Sequence, residues 1–237
     1  MIGIIGNPRR DGKSSFGTLI EYCEKNERGQ NRAIYTGTRN IHFPESAASE
    51  MASLAFMNPR CKDPLMHIIL SWRETELPTN KQIDEAVKTA LEELDLQDCQ
   101  AVWTVHADTE NRHVHIAANR IHPETYKAIQ PAGRWTHRAI QRAARKIEIA
   151  QGWEPETHGI YGVTPEGGVI EREGPETENP KLSKEALDLE AHTAQKSAER
   201  ICQETAAPII RNAKSWEELH EKLAEQGIAF ERKGSGA

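Results

Sequence analysis

Residues 106–120, His-Ala-Asp-Thr-Glu-Asn-Arg-His-Val-His-Ile-Ala-Ala-Asn-Arg, place His106, His113 and His115 within ten positions, beside Asp108 and Asn119. Imidazole ligates metal ions and moves protons near neutral pH, so the chemistry to look for is a metal centre or acid–base catalysis. His113 and His115 are two residues apart, which divides side chains around a helix but stacks them about 7 Å apart on one face of a strand. On a strand over residues 113–121, His113, His115, Ala117 and Asn119 share one face and Val114, Ile116 and Ala118 the other. On a strand over residues 100–107, Thr104 and His106 point away from Trp103 and Val105. If the polar stretch 108–112 turns the chain so that the apolar faces agree, the three histidines converge. Three imidazoles around one point make a facial metal site with positions left for water or substrate. One histidine alone is ordinarily a surface or core residue. Three on one predicted face form a ligand set. Imidazole suits zinc, nickel, copper, iron and manganese, so ligand type does not choose the ion.

The elements that must hold these residues can be read from periodicity. Met1–Gly6 reads as a short buried strand, and Phe16, Leu19, Ile20 and Cys23 recur at helical spacing over about residues 15–26, with Tyr22 on the flank of that stripe. Residues 28–46 show no clear period. Residues 66–73 alternate as a strand, with Met66, Ile68, Leu70 and Trp72 on one face and His67, Ile69, Ser71 and Arg73 on the other. Thr79 and Gln82 fit a capping box that opens a helix with the stripe Ile83, Val87, Ala90, Leu91 and Leu94. A helix over residues 136–150 has the stripe Ile140, Ala143, Ala144 and Ile147, with Arg134, Arg138, Arg142 and Arg145 opposite. Gly, Pro and Glu mark residues 164–182 as a linker between a domain over 1–163 and a helical appendage over 183–237. In the appendage, residues 183–205 read as a polar helix, and a helix capped by Ser215 runs to Gln226 before a strand at 228–232. The stop at Gly-Ser-Gly-Ala, just after that strand, predicts that the sequence is part of a longer protein.

Composition narrows the classes. No apolar run approaches the roughly 18 residues of a membrane span, and Met1–Arg10 turns polar too soon for a secretory leader, so a cytoplasmic, non-inserted protein is expected. The four cysteines, Cys23, Cys61, Cys99 and Cys202, form no CxxC pair, which argues against a disulfide framework or zinc ribbon. The net charge of −6 is uneven: residues 1–150 hold 20 Lys+Arg against 19 Asp+Glu, and residues 151–237 hold 10 against 17. A near-neutral domain can still carry a basic groove for nucleic acid. Arg9, Arg10, Lys13 and the arginine side of the 136–150 helix are candidates to track phosphates. Trp72, Trp103, Trp135 and Trp153 could stack on bases, although Trp72 and Trp103 fall on apolar faces. The stretch Gly6–Ser14 superficially fits a phosphate loop, but five residues separate Gly6 from Gly12 where that motif has four, so nucleotide binding is not expected.

The pattern H-x-D-T-x-N-x-H-x-H-I-x-x-N-R, His106 to Arg120, resembles the third motif of plasmid relaxases, the mobilisation nucleases within the histidine-hydrophobic-histidine endonucleases. Phe16-x-x-Leu19-x-x-Tyr22 is similar to their first motif, and Leu70-Ser71-Trp72-Arg73 to their second. The three motifs stand in the family's order over about residues 1–160. The resemblance implies an α+β fold: a central antiparallel sheet of about five strands, helices packed on one face and the cleft on the other. It implies that Tyr22 attacks the scissile phosphate of single-stranded origin-of-transfer DNA, giving a 5′-phosphotyrosyl intermediate. His106, His113 and His115 would hold a divalent ion, Mg²⁺ or Mn²⁺ first and Zn²⁺ or Ni²⁺ as others that imidazole suits. Asp108 would orient a ligand or accept the tyrosine proton. Ser71, Asn119, Arg120, Arg134, Arg138 and Arg142 would contact DNA. A monomeric enzyme working with accessory relaxosome proteins and a coupling protein is the context implied. Two other readings remain open. In a rolling-circle initiator or transposase of the same superfamily the tyrosine follows the histidine pair, which would favour Tyr126 or Tyr161. In a non-catalytic DNA-binding protein the metal would serve only the fold.

Overall fold

The computed structural model describes residues 1–6, 15–25, 31–107, 111–156, 159–172 and 182–229, the side chain of Arg134 excepted. Arg9, Arg10, Lys13 and Asp108 therefore lie outside the described residues, as do residues 173–181 of the expected linker and most of the expected strand at 228–232.

Strands β1 (Ile2–Ile5), β2 (Tyr35–Arg39), β3 (Leu65–Ser71), β4 (Ala101–His106) and β5 (His113–Asn119) form one antiparallel sheet in the order β1-β3-β5-β4-β2. The period of two then sorts every side chain. Met66, Ile68, Leu70, Val114, Ile116, Trp103 and Val105 face one way and join the main core. Two long helices cover that face, α3 (Asn80–Glu93) and α4 (Thr136–Gln151). α3 opens on the expected capping box: the Thr79 hydroxyl accepts from Gln82 N–H, and the Gln82 side chain accepts from Thr79 N–H at 2.9 Å. α4 ends at Gly152, whose φ of 72° is left-handed and costs glycine little. Its Arg145, expected on the exposed side, is buried and donates to Met1 O (3.0 Å), Glu156 O (2.9 Å) and Glu148 (2.9 Å).

The second face carries the histidines and is flanked by shorter helices. α1 (Phe16–Glu24) and α2 (Ala47–Phe56) pack Phe16, Ala47 and Met51 against Val102 of β4. The Ser15 hydroxyl accepts from Thr18 N–H and starts α1. At the other edge, α5 (Lys184–Thr193) and Ala194 lie over Ile4 of β1 and Ile69 of β3. The polar helix expected over 183–205 is interrupted: Ala194, at φ 54°, ends α5, and Ser197 caps α6 (Ala198–Ile201). The chain then widens to π-helical turns over Cys202–Ala206 and continues as α7 (Ala207–Asn212). After it comes α8 (Trp216–Glu225), capped by Ser215 as expected. The first part of the stretch expected as a linker supplies the turn and second strand of a hairpin, in which β6 (Tyr161–Val163) pairs with β7 (Val169–Glu171). No helix is long and apolar enough to cross a membrane among the described residues.

β2 and α2 lie where no period, or none clear enough, announces them. β2 is an edge strand reading Tyr-Thr-Gly-Thr-Arg, and its packing is supplied by its neighbour. The Trp103 indole lies on Gly37 and is fixed there by donating Nε1–H to Asp84 (3.0 Å). A Cβ at Gly37 would come within 2.3 Å of the ring. Gly37→Ala should therefore destabilise the protein by about 1–3 kcal/mol in urea unfolding, through overpacking. Gly17→Ala, where a Cβ meets only Ala48 at 3.9 Å, should be neutral or stabilising.

Candidate active site

The pairing of β4 with β5 sets His106 opposite His113 and Thr104 opposite His115. All three histidines are buried on the second face, with ring centroids 5.1 Å (106–113), 4.7 Å (106–115) and 5.1 Å (113–115) apart. One donor atom from each lies within 4.8 Å of the others. Backbone carbonyls assign two tautomers: His106 Nε2–H donates to Cys23 O (2.5 Å) and His113 Nδ1–H to Asn111 O (3.0 Å). The other two ring nitrogens, His106 Nδ1 and His113 Nε2, face each other 3.2 Å apart. Two nitrogens bound to one ion at about 2.1 Å are separated by roughly 3.0–3.4 Å, so this pair matches a ligand edge. The residues fit a metal.

Two further residues join the cluster. His67 Nε2 is 2.9 Å from His115 Nδ1, with the rings stacked at 21°. The Cys23 thiol forms, with His67 and His115, a second group whose donor atoms lie within 4.8 Å. Burial, then the nearby His106 and His192, pushes His67 down to about 4, and burial with its histidine neighbours holds His115 well below the usual imidazole value. Both rings are therefore neutral at pH 7, as ligation requires. Burial raises the Cys23 thiol to about 12, opposed by Arg32. Sequence reasoning placed His67 on the polar face of its strand but not with the triad. The missing information was that β3 pairs with β5, which puts Ile69 opposite His115 and His67 one step along the same face.

Tyr22, on α1, reaches this face half-exposed. Its ring is edge-to-face with His115 at 6.3 Å and with His192 of α5 at 6.2 Å. Arg32, which the sequence did not single out, holds its guanidinium 4.9 Å over the Tyr22 ring and donates to Tyr22 O (2.6 Å). A cavity of about 510 Å³ opens beside Tyr22 and His67, walled on the far side by Leu187, Asp188, Ala191 and His192 of α5. Ser71 is opposite His113 in the β3–β5 register, and its buried hydroxyl has no hydrogen-bond partner among the described residues. Leaving such a hydroxyl unsatisfied costs energy, which fits a group whose partner arrives with a ligand.

Other expected site residues are not brought to the cluster. Asn119 is fully buried and occupied: it donates to Met51 O (3.0 Å) and Gln100 (3.3 Å) and accepts from Ile121 N–H (3.0 Å). It fastens α2 and the end of β5 to the sheet. Arg120 lines the cavity, yet its guanidinium is spent on the carbonyls of Asp63 (2.9 Å) and Ile129 (3.2 Å). Arg138 and Arg142 lie on α4, across the sheet from the histidines, and pair with Glu171 and Glu93. The helical period put them on one polar side, but that side meets the carboxylates of α3 and β7. Trp72 and Trp103 are core, and Trp135 is exposed beneath Arg138. Asp108 and the Arg134 side chain are outside the described residues.

A family model of the MobA/VirD2-like relaxase nuclease domain matches residues 22–153, and one of the TraI-like middle domain matches residues 183–237. The chain is 43% identical over 188 residues to "Protein MobA" of Acidithiobacillus ferrooxidans, covering 79% of this chain and 46% of that protein. It is 27% identical over 231 residues to "Protein TraI" of Escherichia coli, covering 95% of this chain and 28% of that protein. The chain thus spans about half the length of the first relative and less of the second.

Calorimetric titration should find one Mn²⁺ site that weakens at least about 100-fold in His106→Ala and about 10–100-fold in His67→Ala, which removes only the partner orienting His115. Equal affinity in the His106 variant would contradict the triad. In metal-free protein, the unfolded chain takes up a proton on His67 below its ordinary value of 6.5 while the folded chain resists until about 4. Thermal stability should therefore fall as pH is lowered from 7 to 4, and His67→Gln should flatten that slope. Arg142→Ala should change affinity for single-stranded DNA by less than about twofold, since this guanidinium is already paired.

Proposed function

We propose that this chain, which belongs to the MobA/VirD2-like relaxase nuclease family, nicks one strand of origin-of-transfer DNA through Tyr22 and so begins conjugative or mobilising transfer. The observation that carries the reading is the contact of Tyr22 with His115 at the mouth of the histidine cluster. All four tyrosines are described, and the other three lie elsewhere. The Tyr35 hydroxyl donates to Asp84 (2.8 Å), Tyr126 is exposed in the turn after β5, and Tyr161 is buried behind the sheet near Arg142. This favours the relaxase reading over an initiator whose tyrosine follows the histidine pair.

In the proposed reaction the Tyr22 oxygen attacks phosphorus, the phenol loses its proton, and the bond to the 3′ oxygen breaks. The product is a 5′-phosphotyrosine and a 3′ hydroxyl. The bond energy is kept in the phosphodiester, so the same site can reseal the strand without a nucleotide cofactor. His106, His113 and His115 would hold a divalent ion that, when bound, supplies positive charge to a non-bridging oxygen and lines the phosphate up for attack. Arg32 adds fixed positive charge beside the tyrosine, and the Ser71 hydroxyl is available to donate to a phosphate oxygen. Asp108 is the carboxylate proposed to take the tyrosine proton or orient a ligand. The cavity beside Tyr22 has the volume for a nucleotide flanking the cut. Accessory origin-binding proteins and a coupling protein belong to the same proposal.

The test uses single-stranded origin DNA labelled on the 3′ side of the nick. Labelled protein should appear with Mn²⁺ or Mg²⁺, vanish with chelator, and fall at least about 10³-fold in Tyr22→Phe while persisting in Tyr126→Phe. A Tyr22→Phe protein that still becomes labelled would overturn the assignment. Unfolding on metal removal would favour a structural role for the ion, whereas a relaxase should stay folded and lose only activity.

A further inference from the structure

We propose that Cys23, His67 and His115 form a second metal site, for a thiophilic divalent ion of the zinc class, which shares His115 with the triad and competes with it. The three donor atoms lie within 4.8 Å of one another. Ligands on a tetrahedral ion with bonds of about 2.0–2.3 Å are roughly 3.3–3.7 Å apart, so side-chain shifts of about an ångström close the site. Two of the three donors already face each other, His67 Nε2 and His115 Nδ1 at 2.9 Å. Gly6 leaves room for this: a Cβ there would lie 2.8 Å from His67 Nδ1.

The donor set differs in kind from the triad. Three imidazoles accept many divalent ions, while a thiolate selects soft ones. Cys23 and His115 are buried, which favours a thiophilic ion stripped of most of its water. Binding is balanced as follows. The thiol loses its proton to solvent, the sulfur and one nitrogen of each imidazole donate lone pairs, and each ring keeps its other N–H, so the bound ion carries a net charge of about +1.

Competition follows from His115 alone. It belongs to both groups, and a neutral imidazole has one lone pair to give. An ion held by His67 and by Cys23, the residue next to Tyr22 in the chain, therefore removes His115 from the triad. Such a site would make the protein sensitive to thiophilic metals at its active centre. The site stands on its own geometry, and its consequence for DNA nicking rests on the function proposed above.

The test needs no DNA. Co²⁺ is added to protein carrying Cys61→Ser and Cys202→Ser, which removes the two more accessible thiols. A near-ultraviolet thiolate-to-cobalt charge-transfer band should grow to one equivalent, disappear in a further Cys23→Ser variant, weaken at least tenfold in His67→Ala and persist in His106→Ala. No band in the parent, or a band that survives Cys23→Ser, would overturn the site. Near-ultraviolet circular dichroism checks that each variant is folded, and His67→Ala carries the test if Cys23→Ser is not. Competition is read by electron paramagnetic resonance of released Mn²⁺. Cd²⁺ should displace Mn²⁺ from the parent at a concentration at least tenfold lower than from Cys23→Ser, and equal concentrations would overturn it.

Discussion

The register of β5 between β3 and β4 is the constraint on which the rest of the structure depends. Every residue of β5 is buried, so neither face tolerates exchange with the other. A slip of one residue would turn Val114, Ile116 and Ala118 toward the cleft and drive His113, His115 and Asn119 into the core. The apolar face therefore specifies the polar one. Ile116, between Ile68 and Trp103, holds the strand from below, and the imidazoles are arranged above as a consequence.

The helix carrying Tyr22 depends on the same register. The Cys23 carbonyl accepts from His106, so the end of α1 is fastened to the cluster itself. Arg32 returns from the following segment to bind the Tyr22 carbonyl, which fixes the tyrosine from its other side. Burial does electrostatic work here as well. It disfavours protonated imidazole, so the rings stay available as ligands at neutral pH, and it favours the protonated form of the Cys23 thiol. His192 brings α5 against the tyrosine, so the segment matched by the TraI-like middle domain contributes a wall to the cavity beside the site.

Much of the site was legible because the period of two is strict on a strand: His106, His113, His115 and Ser71 fall where alternation puts them. α3 was legible from its cap and stripe. What could not be read was pairing between elements distant in the chain. His67 joins the cluster only because β3 lies beside β5, and Arg32 only because it meets Tyr22, ten positions earlier in the chain. The arginines of α4 show the complementary error. Periodicity assigns a polar face but not its neighbour, and here the neighbours are Glu93 and Glu171 rather than an open surface. Asn119 had the right face and the wrong environment, since α2, unannounced by periodicity, covers it. β2 was hidden because an edge strand packed by a neighbour's tryptophan needs no apolar alternation of its own.

The central proposal is that this fold presents Tyr22 to a phosphate bound at a histidine-held metal ion. Peptide mapping by mass spectrometry, after reaction with single-stranded origin DNA and nuclease trimming, tests it most directly. A nucleotide 5′-phosphate should be attached to the peptide containing Tyr22 and to no other tyrosine peptide. Attachment at Tyr126 or Tyr161 would contradict it.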